Sequence, residues 1–269
     1  MSSIACCKGV VESGVGTGRV EQIGGHSAYV AWPAENSNDG ESANKLTLVV
    51  IATDIFGFTL PNSRLIADRF ASRGFACVVP DLFNGSEMPA DIMDSLEKNG
   101  NSKFGYAKAF LRFLSLFPLF ILRNSSDKGC TIITEVIAAL NVSHSFEKVA
   151  VQGYCWGGSI AIKIAQKPDI ADVVAAAHPG GMIKIPGDIE LIQKPIYFVL
   201  AEIDNQIGIK EREKIKNSLA KKQQIKSKVD WFEGVEHGFA VRGSTSDPHV
   251  NAQKDKAFEA SIEFFNSQN

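Results

Sequence analysis

Short apolar runs alternate with amphipathic segments along most of the chain. Residues 46–51 form a continuous apolar run, which is typical of a strand buried on both faces of a sheet. Further strand-like runs occupy residues 28–32, 75–80, 148–152, 172–176, 195–200 and 229–232. Helical patterns occupy residues 64–71, 159–165 and 257–265. This alternation predicts an α/β fold with a mostly parallel central sheet and helices on both faces.

Length and composition favour a single domain. The chain has 269 residues, of which 45% are hydrophobic and 22% are charged, as in ordinary globular proteins. The polar residues 36–45 are predicted to form a surface loop. We therefore expect one domain over residues 1–269, with residues 1–20 as an N-terminal extension. The formal net charge of -2 gives no support for a nucleic-acid or anionic-membrane partner.

Residues 109–122 are strongly apolar but are interrupted by Arg112 and Pro118. The run is too short to span a membrane. One interpretation is a buried helix that breaks at Pro118, because proline removes a backbone donor. Another is a cap, about residues 86–125, whose apolar face lines a substrate pocket. We expect the segment to combine the two roles.

The five cysteines, an odd number, favour reduced thiols over a disulfide framework. Residues 1–8 lack the basic and apolar pattern of a secretory signal, so we expect a cytoplasmic protein. Cys6 and Cys7 have no neighbouring histidines and cysteines at metal-ligand spacing. We expect no metal and no other cofactor.

The segment Gly153-Tyr154-Cys155-Trp156-Gly157 has the form of a nucleophile elbow, with cysteine where serine is usual. A strand-like run precedes it and a helical run follows it, and the glycines relieve crowding at the turn. Cys155 would then lie at a helix N-terminus, which favours a thiolate and an oxyanion. The alternative is a buried structural cysteine, but that role needs no flanking glycines. The segment therefore predicts covalent catalysis by Cys155.

A cysteine nucleophile needs a base, and the base needs an orienting acid. His237 follows a late strand-like run and precedes the final helix. Asp204 comes soon after the apolar run that ends at Leu200, so it should emerge at the carboxyl edge of the sheet. Glu202 is the second candidate, because its spacing puts it on the same face. The order Cys155, Asp204, His237 matches the order of nucleophile, acid and histidine in the α/β-hydrolase fold.

An oxyanion hole in this fold combines the N–H after the nucleophile with one from an early strand-end loop. Trp156 would supply the first N–H. Residues 53–57, just after the run at 46–51, are the natural source of the second. Asp54, within this loop, is also a typical turn former.

Several segments together resemble the dienelactone hydrolases, most closely their eukaryotic members. They are Thr53-Asp54-Ile55-Phe56-Gly57, Val79-Pro80-Asp81-Leu82-Phe83, Gly153-Tyr154-Cys155-Trp156-Gly157-Gly158, Glu202-Ile203-Asp204 and His237-Gly238-Phe239. The resemblance covers most of the chain, from about Gly24 to the final helix. It implies an α/β-hydrolase fold and a carboxylic ester or lactone hydrolase of the carboxymethylenebutenolidase type.

The resemblance also implies roles for individual residues. It implies a catalytic triad of Cys155, His237 and Asp204. It further implies that the backbone N–H groups of Ile55 and Trp156 are the oxyanion donors.

Two further roles come from the resemblance alone. Asp54 stands where bacterial members have a glutamate, which implies that it holds the resting cysteine and assists its deprotonation. Arg242 resembles the arginine that contacts the substrate carboxylate, one residue farther on than in the bacterial enzymes. A second arginine is expected just after Phe83, where this chain has Asn84 and Gly85. This departure weakens the case for a carboxylate-bearing diene lactone.

We therefore expect hydrolysis of a small-molecule ester or lactone through a thioester on Cys155, by a monomer or weak dimer. The alternative is a non-catalytic small-molecule binding or thiol redox-sensor protein on the same fold, which would not need a base and an acid in this order. Cleavage of glycosidic bonds is a third hypothesis, for which Asp54 and Asp204 would have to flank a cleft.

Overall fold

The computed structural model describes residues 9–34, 46–93, 103–181 and 183–268. Its strands are β1 Arg19–Ile23, β2 His26–Ala31, β3 Thr47–Ala52, β4 Ala76–Pro80, β5 Lys148–Tyr154, β6 Val173–Ala177, β7 Ile196–Ile203 and β8 Ser227–Glu236. Its helices are α1 Pro61–Ser72, α2 Lys103–Arg123, α3 Ser126–Ser143, α4 Trp156–Ala165, α5 Gly187–Glu190, α6 Ile209–Ala220, α7 Phe239–Arg242 and α8 Pro248–Asn266. The loop predicted at residues 36–45, and Cys6 and Cys7, lie outside the described residues.

The strands form one sheet in the order β1-β2-β4-β3-β5-β6-β7-β8. β1 pairs antiparallel with β2, and β2 pairs antiparallel with β4. The remaining neighbours are parallel, so β3 to β8 all end at the same edge of the sheet. The prediction of an α/β-hydrolase fold with a mostly parallel sheet is confirmed.

Each face of the sheet is covered by helices. Along β3, Leu48 and Val50 point into one apolar core, and Val49 and Ile51 point into the other. Helices α2, α3, α4 and α6 contribute to the first core, whereas α1 and α8 contribute to the second. Burial on both faces explains why the central strands are continuous apolar runs in the sequence.

Every predicted strand-like run falls on a strand. β1, α3, α6 and the short helices α5 and α7 were not predicted, although the buried residues Ile133, Val136, Ile137 and Leu140 of α3 recur at helical spacing. β1 is largely exposed and carries few apolar residues, so its sequence lacks a strand-like run. The final helix begins at Pro248, nine residues before the predicted start at 257. Its N-cap is Asp247, whose Oδ1 accepts the N–H groups of His249 and Val250.

The predicted break at Pro118 is wrong, because α2 continues through it from Lys103 to Arg123. Proline deprives the carbonyl four residues earlier, that of Leu114, of its helical donor. Both residues lie on the exposed side of α2, where water can hydrate that carbonyl. The opposite side packs into the core through Phe113 and Phe120. Within the described ranges, no helix combines the length and the apolar character needed to cross a membrane.

Two glycines allow α4 to start directly against the sheet. A Cβ atom on Gly157 would collide with the Ala52 carbonyl at the end of β3. A Cβ atom on Gly153 would collide with the Gly157 carbonyl. The helix that follows Cys155 is therefore held close to β3 and β5 by contacts that only glycine permits.

We expect Gly157→Ala to lower the free energy of unfolding by about 3 kcal/mol, because the added methyl group overpacks the contact with Ala52. Urea denaturation would show a lower midpoint at an unchanged m-value. The matched control is Gly187→Ala in α5, where a Cβ atom meets nothing within 4 Å. A Gly157→Ala protein as stable as that control would contradict the close-packing argument.

Candidate active site

Cys155 is the single residue between β5 and α4, and its backbone is strained. Its φ of 51° and ψ of -112° are values that residues other than glycine rarely adopt. The Cys155 N–H donates to the Ala177 carbonyl at 3.1 Å, and the Cys155 carbonyl accepts from the N–H groups of Gly158 and Gly180. These contacts hold the side chain at the carboxyl edge of the sheet and at the N-terminus of α4, as the elbow motif predicts.

A line of hydrogen bonds joins Cys155 to His237 and Asp204. The Sγ atom of Cys155 lies 3.1 Å from Nε2 of His237. Nδ1 of His237 lies 2.8 Å from Oδ2 of Asp204. All three residues are buried, so bulk water competes little for these contacts. The structure thus brings the predicted nucleophile, base and acid together.

Asp204, and not Glu202, is the carboxylate that pairs with the histidine. Asp204 lies just beyond the end of β7, where its Oδ1 accepts the N–H groups of Gln206 and Ile207 at 2.8 and 3.4 Å. Glu202 instead accepts the N–H of Gly234 at 2.7 Å. The second candidate acid therefore ties the end of β7 to β8.

An irregularity in β8 carries His237 to the acid. β8 advances from Phe232 to Glu236 while β7 advances only from Ala201 to Ile203, so the register shifts between these pairs. The His237 N–H then donates to the Ile203 carbonyl at 3.1 Å. The backbone of His237 is therefore held by a contact that does not involve its side chain.

The predicted oxyanion donors lie at the ends of neighbouring strands. Trp156 is the first residue of α4, and Ile55 lies in the loop that follows β3. β3 and β5 are paired, with Ala52 opposite Gly153, so that loop and the elbow meet at one edge of the sheet. Both residues are buried. Their use as oxyanion donors stays a prediction.

Asp54 and Arg242 form an ion pair that has no exposure to solvent. Nη1 of Arg242 donates to Oδ2 of Asp54. The other oxygen, Oδ1, accepts the Phe56 N–H at 3.0 Å. The guanidinium carbon lies 5.1 Å from the centre of the Phe56 ring. The two residues predicted to tune the nucleophile and to bind a substrate carboxylate therefore contact each other, in a setting where losing either charge is costly.

His178 is a buried neighbour of the site that sequence reasoning did not select. It follows β6 directly with a φ of 34°, and its ring centre lies 5.1 Å from that of His237. Burial lowers the pKa of His178 well below its usual value, and the nearby His237 and Arg242 lower this pKa further. His178 is therefore a neutral ring beside His237 at neutral pH. In the sequence, only its position soon after the strand-like run at residues 172–176 could have indicated that His178 lies near the site.

Helix α2 builds an aromatic wall beside the elbow. The Phe120 ring meets the Trp156 ring edge to face with centres 5.1 Å apart, and Phe83 lies 5.1 Å from Phe120. The segment predicted to act as a cap thus contacts the residue after Cys155. Whether it covers a bound substrate stays a prediction.

A cavity of about 460 Å³ opens beside His237. Its described wall includes Val10, Ile203, Arg242 and Ser244. This volume is in the range of pockets that hold small molecules. Cys155, Ile55 and Trp156 are not among its described lining residues, so the cavity lies against His237 and not at the sulfur of Cys155.

Comparisons with known proteins show similarity to hydrolases. The chain is 27% identical to "Hydrolase pyvD" of Aspergillus violaceofuscus, over 98% of this chain and 96% of that protein. It is also 27% identical to a carboxymethylenebutenolidase homolog of Homo sapiens, over 84% of this chain and 81% of the relative. The fold is similar to the crystal structure of a putative dienelactone hydrolase from Klebsiella pneumoniae, with a TM-score of 0.72 at 15% identity, over 94% of this chain and 100% of that one.

The family comparison settles the class of protein. Residues 29–269 match the model described as the dienelactone hydrolase family, which is most of the chain. The prediction of a hydrolase of this type is therefore confirmed, whereas the roles of single residues are not tested by these matches. The chain belongs to the dienelactone hydrolase family.

Proposed function

We propose that this hydrolase cleaves a small carboxylic ester or lactone through a thioester on Cys155. The observation that carries the proposal is the line of hydrogen bonds from Cys155 Sγ through His237 to Asp204, with contacts of 3.1 and 2.8 Å. A nucleophile, a base and an orienting acid in contact are the parts that covalent acyl transfer needs. The relatives support the proposed ester or lactone substrate, since several of them are named carboxymethylenebutenolidase homologs.

In the acylation step, Nε2 of His237 takes the thiol proton as Sγ of Cys155 attacks the carbonyl carbon. The tetrahedral intermediate then expels the alkoxide, which receives that proton from His237. In deacylation, water gives a proton to His237 and attacks the thioester carbon. The carbon–sulfur bond breaks, and His237 returns the proton to the thiolate.

The remaining groups stabilise charge during these steps. Asp204 holds the His237 tautomer and stabilises the imidazolium. The N–H groups of Ile55 and Trp156 would bind the oxyanion, each contributing about 3 kcal/mol. No step requires a metal or an organic cofactor.

Substrate recognition centres on the Asp54–Arg242 ion pair. A substrate carboxylate that reached Arg242 would compete with Asp54, and the released Asp54 could then assist deprotonation of Cys155. The second expected arginine is replaced by Asn84 and Gly85, both exposed in the turn after β4. Any carboxylate specificity would therefore depend on Arg242.

The redox-sensor alternative receives less support from the site. Cys155 is 1% exposed, so burial restricts oxidants and esters alike and does not by itself decide between the two hypotheses. A sensor thiol needs no histidine and aspartate in line. Hydrolysis accounts for both contacts that join the three residues.

We expect Cys155→Ala and His237→Ala each to lower kcat/KM for p-nitrophenyl acetate by about 10³-fold or more, because each removes a step of acyl transfer. The matched control is Cys130→Ala, which removes a buried thiol in α3. Circular dichroism would check that every variant is folded. Full activity in either site variant would exclude the proposed triad.

For recognition, we expect esters with a free carboxylate to be preferred over their amide-capped analogues, through a lower KM. The double variant Asp54→Asn with Arg242→Gln should lose this preference without leaving one buried charge unpaired. Steady-state kinetics on the matched pair of esters measures the effect. Equal KM values for both esters in the wild-type protein would remove Arg242 as the substrate contact.

A further inference from the structure

The loop that carries Asp204 is held at both of its ends by one side chain, that of Arg212. Nη2 of Arg212 donates to the carbonyls of Ala201 and Glu202 at 3.0 and 2.9 Å, just before Asp204. Its Nε donates to the carbonyl of Ile207 at 3.5 Å, just after it. The guanidinium group therefore closes the loop between β7 and α6.

Asp204 completes the same unit from inside the loop. Its Oδ1 accepts the N–H of Ile207, and the carbonyl of that residue accepts from Arg212. With Oδ1 held by the backbone, Oδ2 is the oxygen that reaches Nδ1 of His237. The direction of the carboxylate thus depends on the loop conformation that Arg212 fixes.

Burying the charged side chain of Arg212 costs desolvation free energy that an apolar side chain in the same place would not. It is 4% exposed, and its guanidinium group lies over the Trp231 ring of β8. Burial lowers its pKa, although the carboxylates of Asp204 and Glu202 act in the opposite direction. Nη1 is buried without a hydrogen-bond partner among the described residues. A methionine could fill the same space at no desolvation cost.

We propose that Arg212 is a positioning residue, which holds the loop of residues 201–207 so that Oδ2 of Asp204 meets His237 in catalytic geometry. The proposal rests on the proposed triad. It assigns Arg212 an effect on catalysis that passes through Asp204, separate from any contribution to folding. No contact of Arg212 with the substrate is involved.

The test is a double-mutant cycle of Arg212→Met and Asp204→Asn, with p-nitrophenyl acetate as substrate. We expect Arg212→Met alone to lower kcat about 10- to 100-fold, because small displacements of a catalytic group have effects of this size. KM should change by less than about threefold, since Arg212 makes no contact with the substrate in this proposal. In the Asp204→Asn background the same substitution should lower kcat by less than about threefold, because the group that it positions is already disabled.

Several outcomes would overturn the proposal. It is wrong if Arg212→Met leaves kcat unchanged, or if it lowers kcat by the same factor in both backgrounds. Urea denaturation of each variant separates a loss of folded protein from a loss of turnover. If Arg212→Met does not fold, Arg212→Lys enters the same cycle, and additivity there contradicts the proposal in the same way.

Two controls complete the design. Lys216→Met changes a charge on the exposed side of α6 and should leave kcat unchanged. Cys155→Ala, assayed in parallel, tests the nucleophile itself. Full turnover in Cys155→Ala would defeat the proposed function, whereas additivity in the cycle would defeat only the role of Arg212.

Discussion

The shared carboxyl edge of the parallel strands is the constraint on which the site depends. β3, β5, β6, β7 and β8 run in one direction, so the chain leaves each of them at the same edge. The loop with Asp54, the elbow at Cys155, the turn at His178 and the loop with Asp204 therefore converge, although they are far apart in the sequence. Local departures from regular strand geometry at the strand ends bring the side chains of the site together.

Backbone hydrogen bonds, more than side-chain contacts, hold the chain in place at these strand ends. The strained turn at Cys155 is held by hydrogen bonds to Ala177, Gly158 and Gly180. The shifted register of β8 and the bond from His237 N–H to Ile203 place the histidine. Because the backbones of Cys155 and His237 are held by these bonds, the hydrogen-bonded line from Cys155 to Asp204 is present without substrate, which would reduce the reorganisation that the proposed catalysis requires.

The sequence predicted the parts of this arrangement that are local or ordered along the chain. The elbow is indicated by neighbouring glycines, and the predicted triad follows the order of the strand ends. Cys155, Asp204 and His237, which the structure brings into contact, could therefore all be selected from the sequence. Helix α2 could not be predicted as continuous, because the tolerance of Pro118 depends on which side of the helix faces solvent. Arg212 had no signal at all, since its contacts with the carbonyls of residues 201, 202 and 207 exist only after α6 folds back on the loop.

Mass spectrometry of the protein quenched during turnover of an activated ester would detect the proposed thioester itself. We expect a transient mass increase equal to the acyl group, located on the peptide that contains Cys155 and absent from Cys155→Ala. His237→Ala should slow both the appearance and the loss of this adduct. Turnover with the acyl group on another residue, or oxidation of Cys155 without any acylation, would contradict the proposed role of Cys155.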